Sequence, residues 1–316
     1  MYKFFITGGA GFVGSHIVEN IFKNFQNSKI VILDKLTYAA NLKYLKEIYP
    51  NKRVKFIKSD ILDSEKYIND LKNCDYAINV AAESHVDRSF RNSLLFTKTN
   101  TLGAHTFVHL CLENNVKKII HVSTDEVYGE VLNGRSNERS KINPTNPYSA
   151  SKAAAEIIIN SYKFHNPTKI VIVRGNNIYG IRQFPEKLIP ACILSLIKNK
   201  KIRINGNGKH LRCYLSALDF ANAIEILIKN KNVEGFYNIG HNIHYKNISI
   251  AYMICKLMNK KPEKSIMFMK DRPFNDRRYS ISSKKIRSLG WKPEKDFLND
   301  LPGVIEWYKT NYNLFK

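Results

Sequence analysis

The sequence predicts an α/β fold, a doubly wound parallel sheet followed by a smaller C-terminal portion. Three observations carry the prediction. Short β-branched runs alternate with helical stretches through the first half, a glycine-rich turn follows the first run at once, and this rhythm loosens after Arg174. The chain has 316 residues, 44% hydrophobic and 11% aromatic, enough to bury a substantial core and to exclude wholesale disorder.

Taken in order, Lys3–Thr7, Lys29–Leu33, Val54–Ile57, Tyr76–Val80, Ile119–Ser123 and Lys169–Val173 read as buried strands. Between them Gly14–Asn24, Thr101–Asn114 and Tyr148–Phe164 carry helical periodicity. Such alternation gives parallel pairing with right-handed crossovers, and it opens a ligand crevice at the C-terminal strand ends. Beyond Arg174, Asn176–Pro190 reads as loop, Ala191–Asn199 as helix, Asn205–Gly208 as a turn, Asp219–Lys229 as helix and Phe236–Ile239 as another buried strand. Ser249–Met258 is helical, and Trp307 and Tyr308 sit on a last short helix. No repeat or low-complexity linker intervenes, so the C-terminal portion is expected to pack directly on the sheet.

No run approaches the roughly 18 to 20 apolar residues of a membrane span, and Met1–Thr7 lacks the layout of a signal peptide. Cys74, Cys111, Cys192, Cys213 and Cys255 are scattered, odd in number and without CxxC spacing. Neither a disulfide framework nor a metal site is expected, and a cytoplasmic setting is. Fifty basic against 27 acidic residues leave a formal charge of +23. The lysines are spread along the whole chain without an arginine stripe or an RNA-binding signature, so specific nucleic-acid binding is not expected. Attraction for a phosphorylated substrate explains the charge more simply.

Thr7-Gly8-Gly9-Ala10-Gly11-Phe12-Val13-Gly14 spaces glycines at 8, 11 and 14 between the first strand and the first helix. The first allows a tight turn, the second lets a pyrophosphate approach the backbone, and the third lets helix and strand pack closely. This is the layout of a Rossmann-type dinucleotide site. Asp34 closes the second strand, where a carboxylate accepts both ribose hydroxyls of adenosine and repels a 2′-phosphate, so NAD is expected rather than NADP. Lys35 could soften that discrimination. Asp60-Ile61 follows the third strand, where an adenine edge would lie.

Tyr148 and Lys152 form a YxxxK pair one turn apart on one helix face. A free phenol, with a pKa of about 10, is a poor base at neutral pH. An ammonium beside it favours the phenolate, which can take a proton from an alcohol during hydride transfer. Ser123 and Thr124 add hydroxyls at a strand end.

With the glycine loop, this set resembles the extended short-chain dehydrogenase/reductase family, whose members act mainly on nucleotide sugars. The resemblance spans essentially the whole chain. It implies bound NAD, Tyr148 as base, Lys152 as its partner and Thr124 as a donor to the sugar. It further implies cofactor contacts from Gly8, Gly11, Phe12, Val13, Asp34, Lys35, Leu36, Thr37, Asp60, Ile61, Ala81, Ala82, Ser84, Thr99, Tyr148, Lys152 and Ile178.

Within that family, Ser123-Thr124-Asp125-Glu126-Val127-Tyr128-Gly129 looks like the Thr-Asp-Glu signature of nucleoside-diphosphate-glucose 4,6-dehydratases. Ala81–Ser89 and Gln183–Pro190 look like segments of the same subfamily. An elimination needs both an acid and a base, and adjacent side chains diverge enough to address two atoms. The resemblance implies a cycle on one retained NAD: oxidation at sugar carbon 4 with Tyr148 as base, elimination with Glu126 taking the proton of carbon 5 and Asp125 protonating the leaving hydroxyl, then hydride return to carbon 6. Net redox is zero, so the expected enzyme is a lyase.

By the same resemblance Ser84, His85, Thr124, Asn177, Lys187, Leu188, Arg203, Asn205, Arg212, Asn247, Arg272 and Asn275 contact the sugar nucleotide. Guanidinium and amide donors suit a diphosphate. The division expected is a dinucleotide-binding domain over 1–175, with 215–245 returning to it, and a nucleotide-sugar-binding portion over 176–214 and 246–316. Arg272-Pro273-Phe274-Asn275-Asp276-Arg277-Arg278-Tyr279 and Arg174–Pro190 look most like the dehydratase domain of UDP-rhamnose synthases. UDP-glucose is therefore favoured over dTDP-glucose as substrate. A nucleotide-sugar epimerase or decarboxylase would keep Tyr148 and Lys152 without needing two acids. A non-catalytic NAD-sensing or RNA-binding scaffold would not need the Thr124/Tyr148/Lys152 set. A homodimer built on the helices Thr101–Asn114 and Tyr148–Phe164 is the family's pattern and is expected.

Overall fold

The computed structural model describes residues 1–315. Among them the strands run in chain order as β1 (Tyr2–Thr7), β2 (Ser28–Asp34), β3 (Val54–Lys58), β4 (Tyr76–Asn79), β5 (Lys118–Thr124), β6 (Lys169–Gly175), β7 (Asn177–Tyr179), β8 (Ile202–Asn205), β9 (Leu211–Ser216), β10 (Gly235–Ile239), β11 (His244–Lys246) and β12 (Ile266–Met269). Seven of them form one sheet in the order β10-β6-β5-β4-β1-β2-β3, all neighbours parallel.

Side-chain alternation divides the sheet's two faces. Phe4, Ile6, Ile30 and Ile32 enter a core shared with the helices Phe12–Asn24 and Ala217–Lys229. Phe5, Val31 and Leu33 enter the opposite core, beneath Phe107 and Cys111 of Ala104–Glu113 and Ile159 of Pro147–Ser161. Both faces are covered, which is why these strands read as continuous apolar runs rather than alternating ones.

The strand order reverses at β1, since β2 and β3 lie to one side and β4, β5 and β6 to the other. At such a switch point the loops leaving adjacent strands part and open a crevice. The Thr7 hydroxyl spans it: Oγ1 donates to Asn79 Oδ1 at 2.6 Å and accepts from the Val80 and Ala81 amides, each at 3.2 Å. Helix Ser93–Phe96 continues through a π-helical stretch, Thr97–Gly103, into Ala104–Glu113. Helical structure therefore begins well before Thr101, the expected start.

The second half holds more strand than its sequence advertises. β11, β9 and β7 form a small mixed sheet, and β12 pairs with β8. These strands have three to six residues, too short for a period to declare itself. The last helix is not short: Phe297–Thr310 has 14 residues and buries Phe297, Leu301, Val304, Ile305 and Tyr308 in a third core with Leu188–Ile197 and Asn247–Leu257.

Beneath the strand ends lies a buried ion pair. Arg174 Nη2 sits 2.6 Å from Glu156 Oε2, and its Nη1 donates to the Tyr128 hydroxyl at 2.7 Å. Replacing Glu156 by Ala leaves a buried guanidinium without its counter-charge and should cost about 3–5 kcal/mol, read as a lower urea midpoint. The double variant Glu156→Leu/Arg174→Met should recover most of that loss.

Candidate active site

The cleft over the switch point is lined by the glycine loop, the ends of β2, β4, β5 and β6, and the start of the helix Pro147–Ser161. Gly8 has φ +68°, and a Cβ there would lie 2.7 Å from the Ala81 amide nitrogen. At Gly14 a Cβ would collide with the Gly8 carbonyl oxygen. Only glycine lets the two loops and the helix close up in this way. Asp34, at the end of β2, accepts the Ala10 amide on Oδ2 at 3.0 Å and the Leu36 amide on Oδ1 at 2.8 Å. Each oxygen keeps a lone pair for a ribose hydroxyl. Burial pushes its pKa upward against those hydrogen bonds.

The Lys35 ammonium is paired with Asp60 at 2.6 Å. Burial works against the Asp60 charge, but the hydrogen bonds from Lys35 and the Leu62 amide together with the Lys35 and Lys98 charges outweigh it, and its pKa falls below the ordinary value. Gly8, Gly11, Phe12, Val13, Asp34, Lys35, Thr37, Asp60, Ile61, Ala81, Ala82, Ser84, Thr99 and Ile178 all line the cleft. Leu36 does not: at φ +56° its side chain turns to the core below, and its amide serves Asp34. A glycine cradle, a ribose acceptor and an elongated cleft together fit a dinucleotide.

Thr124 ends β5 and caps the 3-10 turn Asp125–Tyr128, accepting the Glu126 amide on Oγ1 at 3.2 Å. Thr124, Asp125, Glu126, Tyr148 and Lys152 share one end of the cleft. The two acids differ in setting. Asp125 is buried and accepts Asn176 Nδ2 on Oδ2 at 2.6 Å. Burial, with the neighbouring Glu126 charge, pushes its pKa up to about 7. Glu126 is half-buried, with Oε2 lying 3.3 Å from Asn146 Nδ2 and 3.4 Å from the Tyr279 hydroxyl.

Tyr148 and Lys152 begin a helix whose start is over-determined. Asn146 caps it in a reciprocal box with Ser149, and Pro147 takes the first turn. The Lys152 Nζ donates to the Val122 carbonyl at 2.6 Å, and burial lowers its pKa to about 8. Burial and the Glu126 charge hold the Tyr148 phenol above its ordinary value, against a hydrogen bond with Thr124.

Of the expected sugar-nucleotide residues, Ser84, Thr124, Asn177 and Lys187 line the cleft. Lys187 Nζ donates to the Ser84 carbonyl at 2.5 Å. The others lie outside these walls. His85 packs beside Asp87 and Glu186, and burial lowers its pKa to about 4. Leu188 joins the third core. Arg203 is exposed on β8, and Asn205 ends that strand opposite Met269. Asn247 opens the helix Asn247–Leu257 with a buried, unpartnered Oδ1. Arg212 is buried over the Tyr279 ring, 4.4 Å from its centroid, and donates to Asn275 Oδ1 at 3.2 Å. Arg272 is ion-paired with Asp87 at 2.6 Å.

Several contributors were not among the expected site residues. Asn176, Gln183, Phe184 and Glu186 line the cleft. Tyr279 reaches Glu126 while donating to Asp276 Oδ2 at 2.5 Å. Asn100, on the π-helical stretch, clasps the Glu83 backbone through both N–H and carbonyl and donates to Ser151 Oγ at 2.9 Å. Asn146 alone had a local signal, as an N-cap residue before a helix-initiating proline.

A family model described as GDP-mannose 4,6 dehydratase matches residues 5–301. The chain belongs to that family. Among relatives, a trifunctional UDP-glucose 4,6-dehydratase/UDP-4-keto-6-deoxy-D-glucose 3,5-epimerase/UDP-4-keto-L-rhamnose-reductase of Arabidopsis thaliana is 40% identical over 312 residues, 97% of this chain. The chain spans 47% of that protein's length. A dTDP-D-glucose 4,6-dehydratase of Homo sapiens is 39% identical and is covered to 91%, with 98% of this chain aligned. Among solved structures, the dTDP-glucose 4,6-dehydratase DesIV of Streptomyces venezuelae, with NAD and TYD bound, superposes with a TM-score of 0.96 at 32% identity, covering 99% of both chains. DesIV thus shares the whole fold described above, not merely its sheet.

For a family member with this site, one carboxyl group should titrate in the neutral range. The infrared carbonyl stretch of a protonated carboxylic acid should fade with a midpoint at about pH 7 and be missing from Asp125→Asn. A midpoint in the ordinary carboxylate range would contradict the described environment of Asp125.

Proposed function

We propose that this protein is an NAD-dependent nucleoside-diphosphate-glucose 4,6-dehydratase, a hydro-lyase acting on UDP-glucose. The observation that carries the reading is the Asp125–Glu126 pair, two carboxyl groups in unlike environments on one cleft wall with Thr124, Tyr148 and Lys152. An epimerase or decarboxylase has use for the tyrosine and lysine but none for two adjacent acids.

Bound in the cleft, an oxidised nicotinamide dinucleotide supplies storage for a hydride taken from carbon 4 and restored at carbon 6. Acting as a phenolate, Tyr148 takes the proton of the 4-hydroxyl, Thr124 hydrogen-bonds the same oxygen, and Lys152 offsets the phenolate charge from one helical turn away. The ketone at carbon 4 acidifies the hydrogen on carbon 5. Glu126 removes that proton, its bonding electrons form the double bond between carbons 5 and 6, and the C6–O bond breaks as Asp125 gives its proton to the departing hydroxyl. Burial suits Asp125 to this part, because with a pKa of about 7 it carries a proton in much of the population at neutral pH. Glu126 later returns its proton to carbon 5. The proton Tyr148 gathers equals the one Asp125 releases, so a single transfer resets both, and water is the sole loss.

UDP-glucose is favoured by the motif likeness of Arg174–Pro190 and Arg272–Tyr279 to the dehydratase domain of UDP-rhamnose synthases. The names of the human relative and of DesIV support dTDP-glucose as the alternative. In this reading 1–175 with 215–245 holds the cofactor, while 176–214 and 246–316 bring Lys187, Leu188, Arg203, Asn205, Arg212, Asn247, Arg272 and Asn275 towards the sugar nucleotide. The product would be a 4-keto-6-deoxy sugar suited to rhamnose formation. Leu94, Leu102 and Ile157, exposed along the helices beside the cleft, favour a homodimer on that face. Five free buried thiols are consistent with a reducing, cytoplasmic setting. Among the described residues no helix is long and apolar enough to cross a membrane.

Two measurements test the reading. Incubated in parallel with UDP-glucose and dTDP-glucose, the protein should release water from both or from one, detected as a mass loss, with UDP-glucose turned over faster. An isomer of unchanged mass would instead make it an epimerase. Glu126→Gln should permit oxidation but stall elimination, so that the near-ultraviolet absorbance of reduced nicotinamide builds up while turnover falls by about a hundredfold or more. Wild-type turnover in that variant would remove Glu126 from its role.

A further inference from the structure

We propose that Asn176 is a positioning residue for the elimination, holding Asp125 by one carboxyl oxygen so that the other carries the transferable proton. The inference rests on the dehydratase reading and adds a residue to it. Asn176 is 4% exposed and follows β6 directly, where the chain crosses beneath the 3-10 turn of the two acids. Its backbone amide donates to the Ile239 carbonyl at 3.1 Å, which fixes it against the end of β10.

The orientation of its side-chain amide is determined by its neighbours. Oδ1 accepts the His241 backbone amide at 2.9 Å. That leaves Nδ2 facing Asp125 Oδ2 at 2.6 Å, and a flipped amide would set two donors against each other and two acceptors against each other. The seat is made for this side chain, since a Cβ on Gly240 would collide with Asn176 Oδ1. Gly240 is itself pinned, its amide donating to Ser283 Oγ at 2.9 Å and its carbonyl accepting from that hydroxyl at 3.0 Å. The Asn176 amide is thereby fixed against one carboxyl oxygen of Asp125.

An amide N–H cannot accept a proton, so Asp125 Oδ2 is reserved as an acceptor and the acidic proton resides on Oδ1. The same bond tempers the effect of burial, because a donor stabilises the ionised carboxylate. The other charged or titratable groups facing Asp125 are Glu126 on its own turn, Arg212 and Cys213 on β9, and Tyr148 on the catalytic helix. None of these is altered when Asn176 is changed.

The test compares wild type with Asn176→Leu, Asn176→Ser and Gly240→Ala. Asn176→Leu keeps the branched shape but loses the donor to Asp125 together with the acceptor of the His241 amide, so kcat should fall about tenfold or more with KM within about threefold, and reduced nicotinamide should accumulate during turnover. The alkaline limb of the kcat profile, which reports loss of the Asp125 proton, should move up by roughly one unit or more. The infrared carboxyl band, read without substrate, should move the same way. Asn176→Ser should restore part of both shifts, and Gly240→Ala, which displaces the amide without changing it, should reproduce them if Asn176→Leu does not fold. A fall in kcat with both limb and band unmoved would make Asn176 a merely structural residue and overturn the proposal, as would a rise in KM alone. Should wild type release no water from either sugar nucleotide, the dehydratase reading itself fails and takes the proposal with it. Should wild type do so while the variants keep its pH limb and band, only the proposal fails.

Discussion

A single hydroxyl carries much of this architecture. Thr7 closes β1 where the strand order reverses, and its oxygen serves three groups of the neighbouring β4 end at once. Without it the loops leaving β1 and β4 would part freely, because strands on either side of a switch point send their connections in opposite directions. With it, Gly8 is brought against the Ala81 backbone and the cleft acquires a floor. The tie propagates: the 81–84 wall is clasped by Asn100 at Glu83, and Asn100 in turn holds Ser151, which lies between Tyr148 and Lys152. The glycine loop and the helix that carries Tyr148 and Lys152 are therefore connected by a polar path on the buried side of the cleft. Its geometry is insulated from solvent and from the slack of longer loops.

Electrostatics in that cleft follow from differences in burial more than from net charge. The +23 of the whole chain does not set its character: Lys35, Lys152 and Lys187 line it beside Asp34, Asp60, Glu83, Asp125, Glu126 and Glu186. Consecutive positions on a 3-10 turn diverge, so Asp125 turns into the protein and Glu126 towards the opening. One backbone turn thus sets two carboxyl groups in unlike surroundings, Asp125 against Asn176 and Glu126 near Asn146 and Tyr279. Burial beside the Glu126 charge likewise raises the pKa of the Tyr148 phenol.

Legibility in the sequence followed the distance over which each feature acts. The glycine loop, Asp34, the YxxxK pair and the Thr-Asp-Glu run are local patterns, and the structure gathers all of them into one cleft. The seven main strands were legible because both their faces are buried, which writes a continuous apolar run. β7, β8, β11 and β12 left no such mark, being short and partly exposed, and in β9 the buried Arg212 and Ser216 interrupt the apolar run. Asn176 and Tyr279 were invisible for a different reason. They meet the acids across 51 and 153 residues of chain, and an asparagine in a loop or a tyrosine after two arginines announces nothing about its partner. The Lys35–Asp60 pair, across 25 residues, was likewise not legible from sequence.

The π-helical stretch Thr97–Gly103 has a consequence for how this chain can vary. A π turn accommodates an extra residue within an otherwise α-helical path. Here it aims Thr99 at the cleft and Asn100 at Glu83, while the following helix still directs Phe107 and Cys111 at the sheet. Deleting one residue would restore an ordinary pitch and rotate everything downstream by roughly 100°. The apolar stripe of Ala104–Glu113 would then face water. Length at this point is consequently as constrained as residue identity is elsewhere, and insertions or deletions among functional descendants belong in the surface turns instead.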